Sequence, residues 1–219
     1  LAGFLAKKLG LPVGMLICAS NANDVLTEFL NTGRYNRIRP FFKTLSPSMD
    51  ILVSSNLERL LYLLSGDTEL VAELMENLNT DGRYHVPEYL LARIHNHFRG
   101  YACGDIRTRS TIEAVWKELG YLMDTHTAAG WAAAKGYREE TGDKRPMVVL
   151  STASPYKFPA AVLTAIGGDP EGDEFTQMER LAEMTGVPVP ANLSGLRGKP
   201  ERHTDVIDKD KMLDYILGL

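Results

Sequence analysis

Three apolar runs in this 219-residue chain stop in small polar residues. They are LPVGMLICAS (11–20) before Asn21, MDILVSSN (49–56) and RPMVVLSTASP (145–155). Hydroxyl and amide side chains at the carboxyl ends of parallel strands are where open α/β sheets hold ligands. The same residue types also build ordinary turns, so position leaves site and turn both open. The choice is sharpest at Ser151-Thr152-Ala153-Ser154, which runs on into Pro155, Tyr156, Lys157 and Phe158. His126 poses it again, inside the polar turn Asp124-Thr125-His126-Thr127 ahead of a helical stretch. GRYNRIRPFFK (33–43) mixes basic and aromatic residues and suits a solvated loop or a loop near an anionic substrate. His95 and His97 are two apart and would face different directions on a helix, which argues against a metal pair. Neither GxGxxG nor GxxxxGK[ST] occurs, and no GxSxG elbow. With no nucleophile–base set visible, two classes stay open: an α/β enzyme or part of one, and a binding module without chemistry of its own.

The elements that must position these residues follow from periodicity and punctuation. LAGFLAKKLG is a helix stopped by Gly10, with no N-cap, as if continuing a longer polypeptide. Residues 11–20 form a buried strand, NAND (21–24) supplies caps, and DVLTEFLNTG is a helix closed by Gly33. Residues 49–56 are a second strand, with Ser55-x-x-Glu58 as a capping box for a helix striped at 57, 60, 61 and 64. Helices are expected over DTELVAELMENLN and residues 87–97, with a short strand in DGRYHV. FRGYACGD gives a strand and turn, and Ser110-x-x-Glu113 opens a helix. GYLMDTHTAAGWAAAKGYREETG is a short strand, a polar turn and a helix ending near Gly142. RPMVVLSTASP (145–155) makes the third strong strand. FPAAVLTAIGG, EFTQMERLAEMTG and DKDKMLDYILGL are helices, the last after a proline-punctuated connection. Alternating helices and apolar strands predict an α/β fold, a three-layer sandwich around a mostly parallel sheet.

Bulk composition excludes several functions. The chain is 44% hydrophobic and 24% charged, with net charge −4. That balance offers no electrostatic reason for a nucleic acid or anionic membrane partner. No apolar run approaches the ~20 residues of a membrane helix. Cys18 and Cys103 are far apart with no CxxC, which suits free thiols in a reducing cytoplasm.

Five ordered blocks resemble threonine synthases. TLSPSMDILVSSNLERLLYLLSG is similar to the family's Ser-Pro-Ser-Met-Asp-Ile block, DTHTAAGW to its Asp-Pro-His-Thr-Ala segment, and VVLSTASPYKFPAAV to its Ser-Thr-Ala-His-Pro-x-Lys-Phe block. ASNANDVLTEFLNTG and GVPVPANLSGLRGKPERH match as well. The resemblance implies the pyridoxal-phosphate (PLP) fold of the tryptophan-synthase-β type. It further implies conversion of O-phospho-L-homoserine and water to L-threonine and phosphate, by γ-elimination and β-addition of water. In the family the Schiff-base lysine lies in Ser-Phe-Lys-Asp and the cofactor phosphate sits in Ser-Gly-Asn-Phe-Gly, and neither segment occurs here. The whole of 1–219 is therefore expected to be the C-terminal part of a large PLP domain, inactive alone. Carried over by motif, Thr152 would face the pyridine nitrogen, where a hydroxyl donor gives a milder electron sink than a carboxylate. Asn56, Arg59, His126 and Lys157 would serve the substrate phosphate, Arg59 through its bidentate donor fork. Ser154 stands where many members carry His and Thr125 where many carry Pro, which puts any direct contact by that histidine in doubt. A sister PLP enzyme, a cysteate synthase or a dehydratase, is the runner-up.

Overall fold

Residues 1–218 are described by a computed structural model. α1 (Ala2–Lys8) leads into β1 (Leu16–Ser20), α2 (Val25–Thr32) and β2 (Arg34–Asn36). Then come α3 (Leu57–Ser65), α4 (Thr68–Thr80), β3 (Arg83–His85), α5 (Glu88–His95) and β4 (Phe98–Ala102). The second half is helical: α6 (Asp105–Leu119), α7 (Thr125–Thr141), α8 (Pro159–Ala165), α9 (Glu174–Thr185), α10 (Ala191–Ser194) and α11 (Met212–Leu217). β1 and β4 pair in parallel from Leu16↔Phe98 to Ser20↔Ala102, and β2 pairs antiparallel with β3.

Two adjacent residues of β4 show the layering. Successive side chains on a strand point to opposite faces. At Gly100 a Cβ would lie 2.7 Å from Thr27 Cα of α2. The next residue, Tyr101, packs its ring edge-on against Tyr137 of α7, 6.4 Å between centroids. The parallel pair is thus covered by α2 on one face and α7 on the other, the three-layer α/β arrangement expected. Asn31 of α2 seals the outer edge of β4: its carboxamide accepts from Gly100 N at 3.1 Å and donates to Gly100 O at 2.9 Å. A strand edge closed in this way has no free peptide there to recruit another chain.

Helix stripes followed the periodicity. All four expected positions of α3, Leu57, Leu60, Leu61 and Leu64, are buried in a core shared with Phe4, Phe29, Tyr35, Leu90 and Ile94. A second core joins Ile112 and Val115 of α6 to Val162 and Leu163 of α8 and Leu181 of α9.

Three expected strands do not form among the described residues. Residues 49–56 begin in a 3-10 turn (Pro47–Met49) and continue as irregular backbone. The Tyr35 hydroxyl takes their polar groups, donating to Leu52 O at 3.1 Å and accepting from Ser54 N at 2.9 Å. Residues 145–151 also lack a ladder partner among the described residues. Val148 and Leu150 are 86% and 76% exposed, while Val149 turns toward Gly130 of α7. An apolar run becomes a strand only where a neighbour takes up its peptide hydrogen bonds. Residues 120–123 are likewise not a strand, although Leu122 and Met123 are buried.

The cap assignments shift too. Asn56 rather than Ser55 precedes α3, with no side-chain cap. α6 starts five residues before Ser110, at Asp105, and Ser110 Oγ bonds back to Arg107 O at 3.1 Å inside the helix. Asp24 precedes α2 without capping it and pairs with Arg39 at 2.7 Å.

The contact at Gly100 yields a test. Gly100→Ala must drive α2 off the sheet, because the atom it meets is backbone. The expected loss is about 1–3 kcal/mol, typical of overpacking. Urea unfolding of the two proteins measures it, and equal midpoints would contradict the packing described.

Candidate active site

At the carboxyl end of β1 the chain turns through Asn21 and Asn23, both buried. Their carboxamides reach across to the 41–50 loop. Asn21 Nδ2 donates to Asp50 Oδ1 at 2.7 Å and to Thr44 Oγ1 at 2.8 Å. Asn23 grips the peptide of Phe42 from both sides, accepting from its N–H at 2.9 Å and donating to its C=O at 2.8 Å. Asp50 closes the loop on itself, accepting from Thr44 N at 3.0 Å and Thr44 Oγ1 at 2.8 Å. Asp105, the first residue of α6, adds an outside clamp by accepting from Leu45 N at 3.1 Å. Polar side chains fix this loop where an apolar segment would need a core. It crosses the position at which α/β sheets bind ligands.

The second part of the site is the N-terminus of α7. Asp124 is fully buried and caps the helix, accepting from His126 N at 2.8 Å and Thr127 N at 3.3 Å. It also takes the Thr127 hydroxyl and lies 3.0 Å from His126 Nδ1. Free N–H groups and the helix dipole both favour a carboxylate there. The imidazole of His126 then reaches two other parts of the chain. Its Nε2 accepts from Ser48 N at 3.3 Å, and its ring lies 4.8 Å from that of Phe158. Thr127 Oγ1 and Ser151 Oγ are 3.1 Å apart, and the Tyr121 hydroxyl donates to Ser151 Oγ at 3.3 Å. The three polar stretches 44–50, 124–127 and 151–158 therefore meet at α7.

Thr152 is exposed, and its hydroxyl makes no hydrogen bond among the described residues. Lys157 ends a 3-10 turn capped by Ser154, whose Oγ accepts from Tyr156 N at 3.3 Å. The Lys157 side chain is exposed, with no carboxylate in ion-pair range among the described residues. That turn is anchored by the buried Tyr156, whose hydroxyl donates to Val187 O. Arg59 Nη2 donates to Asn56 Oδ1, and Arg59 borders a 550 Å³ groove with Leu1, Leu5, Tyr62, Leu63 and Val71. The structure thus joins Asn56 to Arg59, and His126 to Ser48 and to the neighbour of Lys157. No hydrogen bond or ion pair links the first set to the second among the described residues.

Asn21, Asn23, Asp50 and Asp124 were not singled out from sequence as holding the site. Their signals were present: an Asn-x-Asn pair after a strand, the Asp of Ser-Pro-Ser-Met-Asp, and an Asp opening the polar turn before a helix. Asp50→Ala removes the acceptor shared by Asn21 Nδ2, Asn23 Nδ2, Thr44 N and Thr44 Oγ1, and each buried group left unsatisfied costs about 1–3 kcal/mol. The loop should open while the rest of the fold holds, so trypsin should cut after the exposed Lys43 at least tenfold faster. Unchanged cleavage would show that Asp50 does not hold the loop.

Comparison with known proteins finds threonine synthases. The model for the C-terminal region of threonine synthase matches residues 127–216. A threonine synthase of Pseudomonas aeruginosa is 40% identical over 210 residues, covering 91% of this chain and 44% of that protein. The PLP-bound threonine synthase structure from Brucella melitensis superposes with a TM-score of 0.72 at 42% identity, over 82% of this chain and 38% of that one. The yeast threonine synthase structure gives 0.72 at 32% identity, over 83% and 40%. The chain spans less than half the length of these relatives. By sequence and by fold, this chain is similar to the C-terminal portion of threonine synthases.

Proposed function

We propose that this chain supplies the carboxyl-terminal part of the PLP-binding domain of a threonine synthase. The enzyme would convert O-phospho-L-homoserine and water to L-threonine and inorganic phosphate. The Schiff-base lysine and the cradle for the cofactor phosphate would come from a segment outside these 219 residues, since neither motif occurs in them. One observation carries the reading. Thr152 and Lys157, two of the side chains matched to the family's motifs, have no partner among the described residues, in a stretch that Thr127 and the buried Tyr156 hold in place.

When bound, PLP supplies the electron sink that lets protons leave carbon next to the amino group. The chain fits that group at one point: the free Thr152 hydroxyl can donate to the pyridine nitrogen. Val or Ala would leave the nitrogen without a donor, and Asp would hold it protonated, a stronger sink than this reaction calls for. Ser151, fixed between Thr127 and Tyr121, sets the direction in which Thr152 leaves the loop.

The substrate phosphate needs cations that are not already neutralised. Arg59 has only the neutral Asn56 as partner, and Lys157 has none among the described residues. A guanidinium can take two phosphate oxygens at once, and an ammonium adds a point charge. Asn56 orients the guanidinium, and His126 stands beside Lys157 through Phe158. Two free cysteines, Cys18 and Cys103, suit a cytoplasmic setting; burial pushes both thiols up and keeps them unreactive.

The test is phosphate release from O-phospho-L-homoserine by the complete enzyme that carries this chain. Threonine should form in equal amount. Arg59→Gln should raise KM at least tenfold with a smaller effect on kcat, the pattern of a lost binding contact. Thr152→Val should lower kcat by at least tenfold and shift the cofactor absorbance. Release of phosphate without threonine, or full activity in both variants, contradicts the reading.

A further inference from the structure

His126 is placed where it could meet the substrate phosphate, but its hydrogen-bonding capacity is already spent inside the chain. Imidazole has two nitrogens, and in the neutral form one donates and one accepts. Nδ1 lies 3.0 Å from the Asp124 carboxylate, an acceptor only, so Nδ1 carries the proton. Nε2 is then the acceptor, and it receives the Ser48 N–H at 3.3 Å. No donor is left for a phosphate oxygen. The ring is 11% exposed and packed against Phe158, so it is not free to turn outward.

We infer that His126 is a positioning residue, latching the 44–50 loop to the N-terminus of α7 through the Ser48 amide without touching the substrate. The inference rests on the site proposed above and changes the part His126 plays in it. The loop has three holds from three elements. Asn21 after β1 grips Thr44 and Asp50, Asp105 of α6 grips Leu45, and His126 of α7 grips Ser48. The first two hold the amino-terminal arm and, through Ser46 and Asp50, the two residues that flank the Pro47–Met49 turn. Among the described residues only the third reaches the turn itself, from which the chain runs on to Asn56 and Arg59. Asp124 is buried, so it fixes both the ring's tautomer and its direction. Loss of the latch would leave the loop attached at its arm and loose at its turn.

Amide hydrogen exchange of Ser48, measured by NMR on this chain without any ligand, reads the latch directly. His126→Ala should speed exchange at Ser48 by about tenfold, one hydrogen bond's worth. Exchange at Thr44 and Leu45 should change by less than threefold. His126→Gln, whose carbonyl can accept in place of Nε2, should keep much of the protection. In the complete enzyme, KM for O-phospho-L-homoserine should follow Ser48 protection across both variants. Two results would overturn the inference. One is Ser48 exchange in His126→Ala equal to that of the unaltered chain. The other is a raised KM in a variant whose Ser48 protection is intact, which would mean direct contact with substrate. If the enzyme releases no phosphate from this substrate at all, the functional reading fails, while the exchange result still decides the latch.

Discussion

One buried carboxylate organises this end of the molecule. Asp124 sits at the N-terminus of the 17-residue helix α7 with no exposed surface. Burying a carboxylate is costly unless donors replace water. Here two backbone N–H groups, a threonine hydroxyl and an imidazole do so, and the helix dipole adds to them. Because each partner has a second bond elsewhere, the site grows outward from this one group. His126 carries it to Ser48 and Phe158, and Thr127 carries it to Ser151, one residue from Thr152.

The layers explain why that group can be so precisely set. α7 covers one face of the β1–β4 pair, where Tyr101 meets Tyr137, and α2 covers the other at van der Waals distance from Gly100. A helix held against a sheet along its length presents its N-terminus in one place. The loop after β1 is fixed to the same sheet by Asn21 and Asn23. Loop and helix end are thus referred to one rigid body, and His126 closes the gap between them. Catalytic groups held this way need no ordering when a ligand arrives.

Helices were the most legible part of the sequence. The stripe at 57, 60, 61 and 64 became a buried face, and Gly33 and Gly142 closed their helices in the left-handed conformation. Periodicity and end signals are local, so a single segment carries them. Strands were less legible, because a strand is a relation between segments. Of residues 11–20 only 16–20 found β4, whereas 49–56 gave their peptide groups to Tyr35 and 145–151 found no ladder. The polar network was hidden for a similar reason. Asn21 and Asp50 are 29 positions apart, and nothing within either segment states that they touch. The family resemblance pointed to Thr152, Asn56, Arg59, His126 and Lys157 as expected site residues, but motif matching does not distinguish a residue that contacts a ligand from one that holds a loop.

The central claim is that Thr152 supplies a neutral donor to the cofactor ring of a threonine synthase. A crystal structure of the complete enzyme with PLP bound tests it most directly. The account predicts Thr152 Oγ at hydrogen-bond distance, about 2.7–3.0 Å, from the pyridine nitrogen. A carboxylate in that position, or Thr152 turned away from the ring, would contradict it.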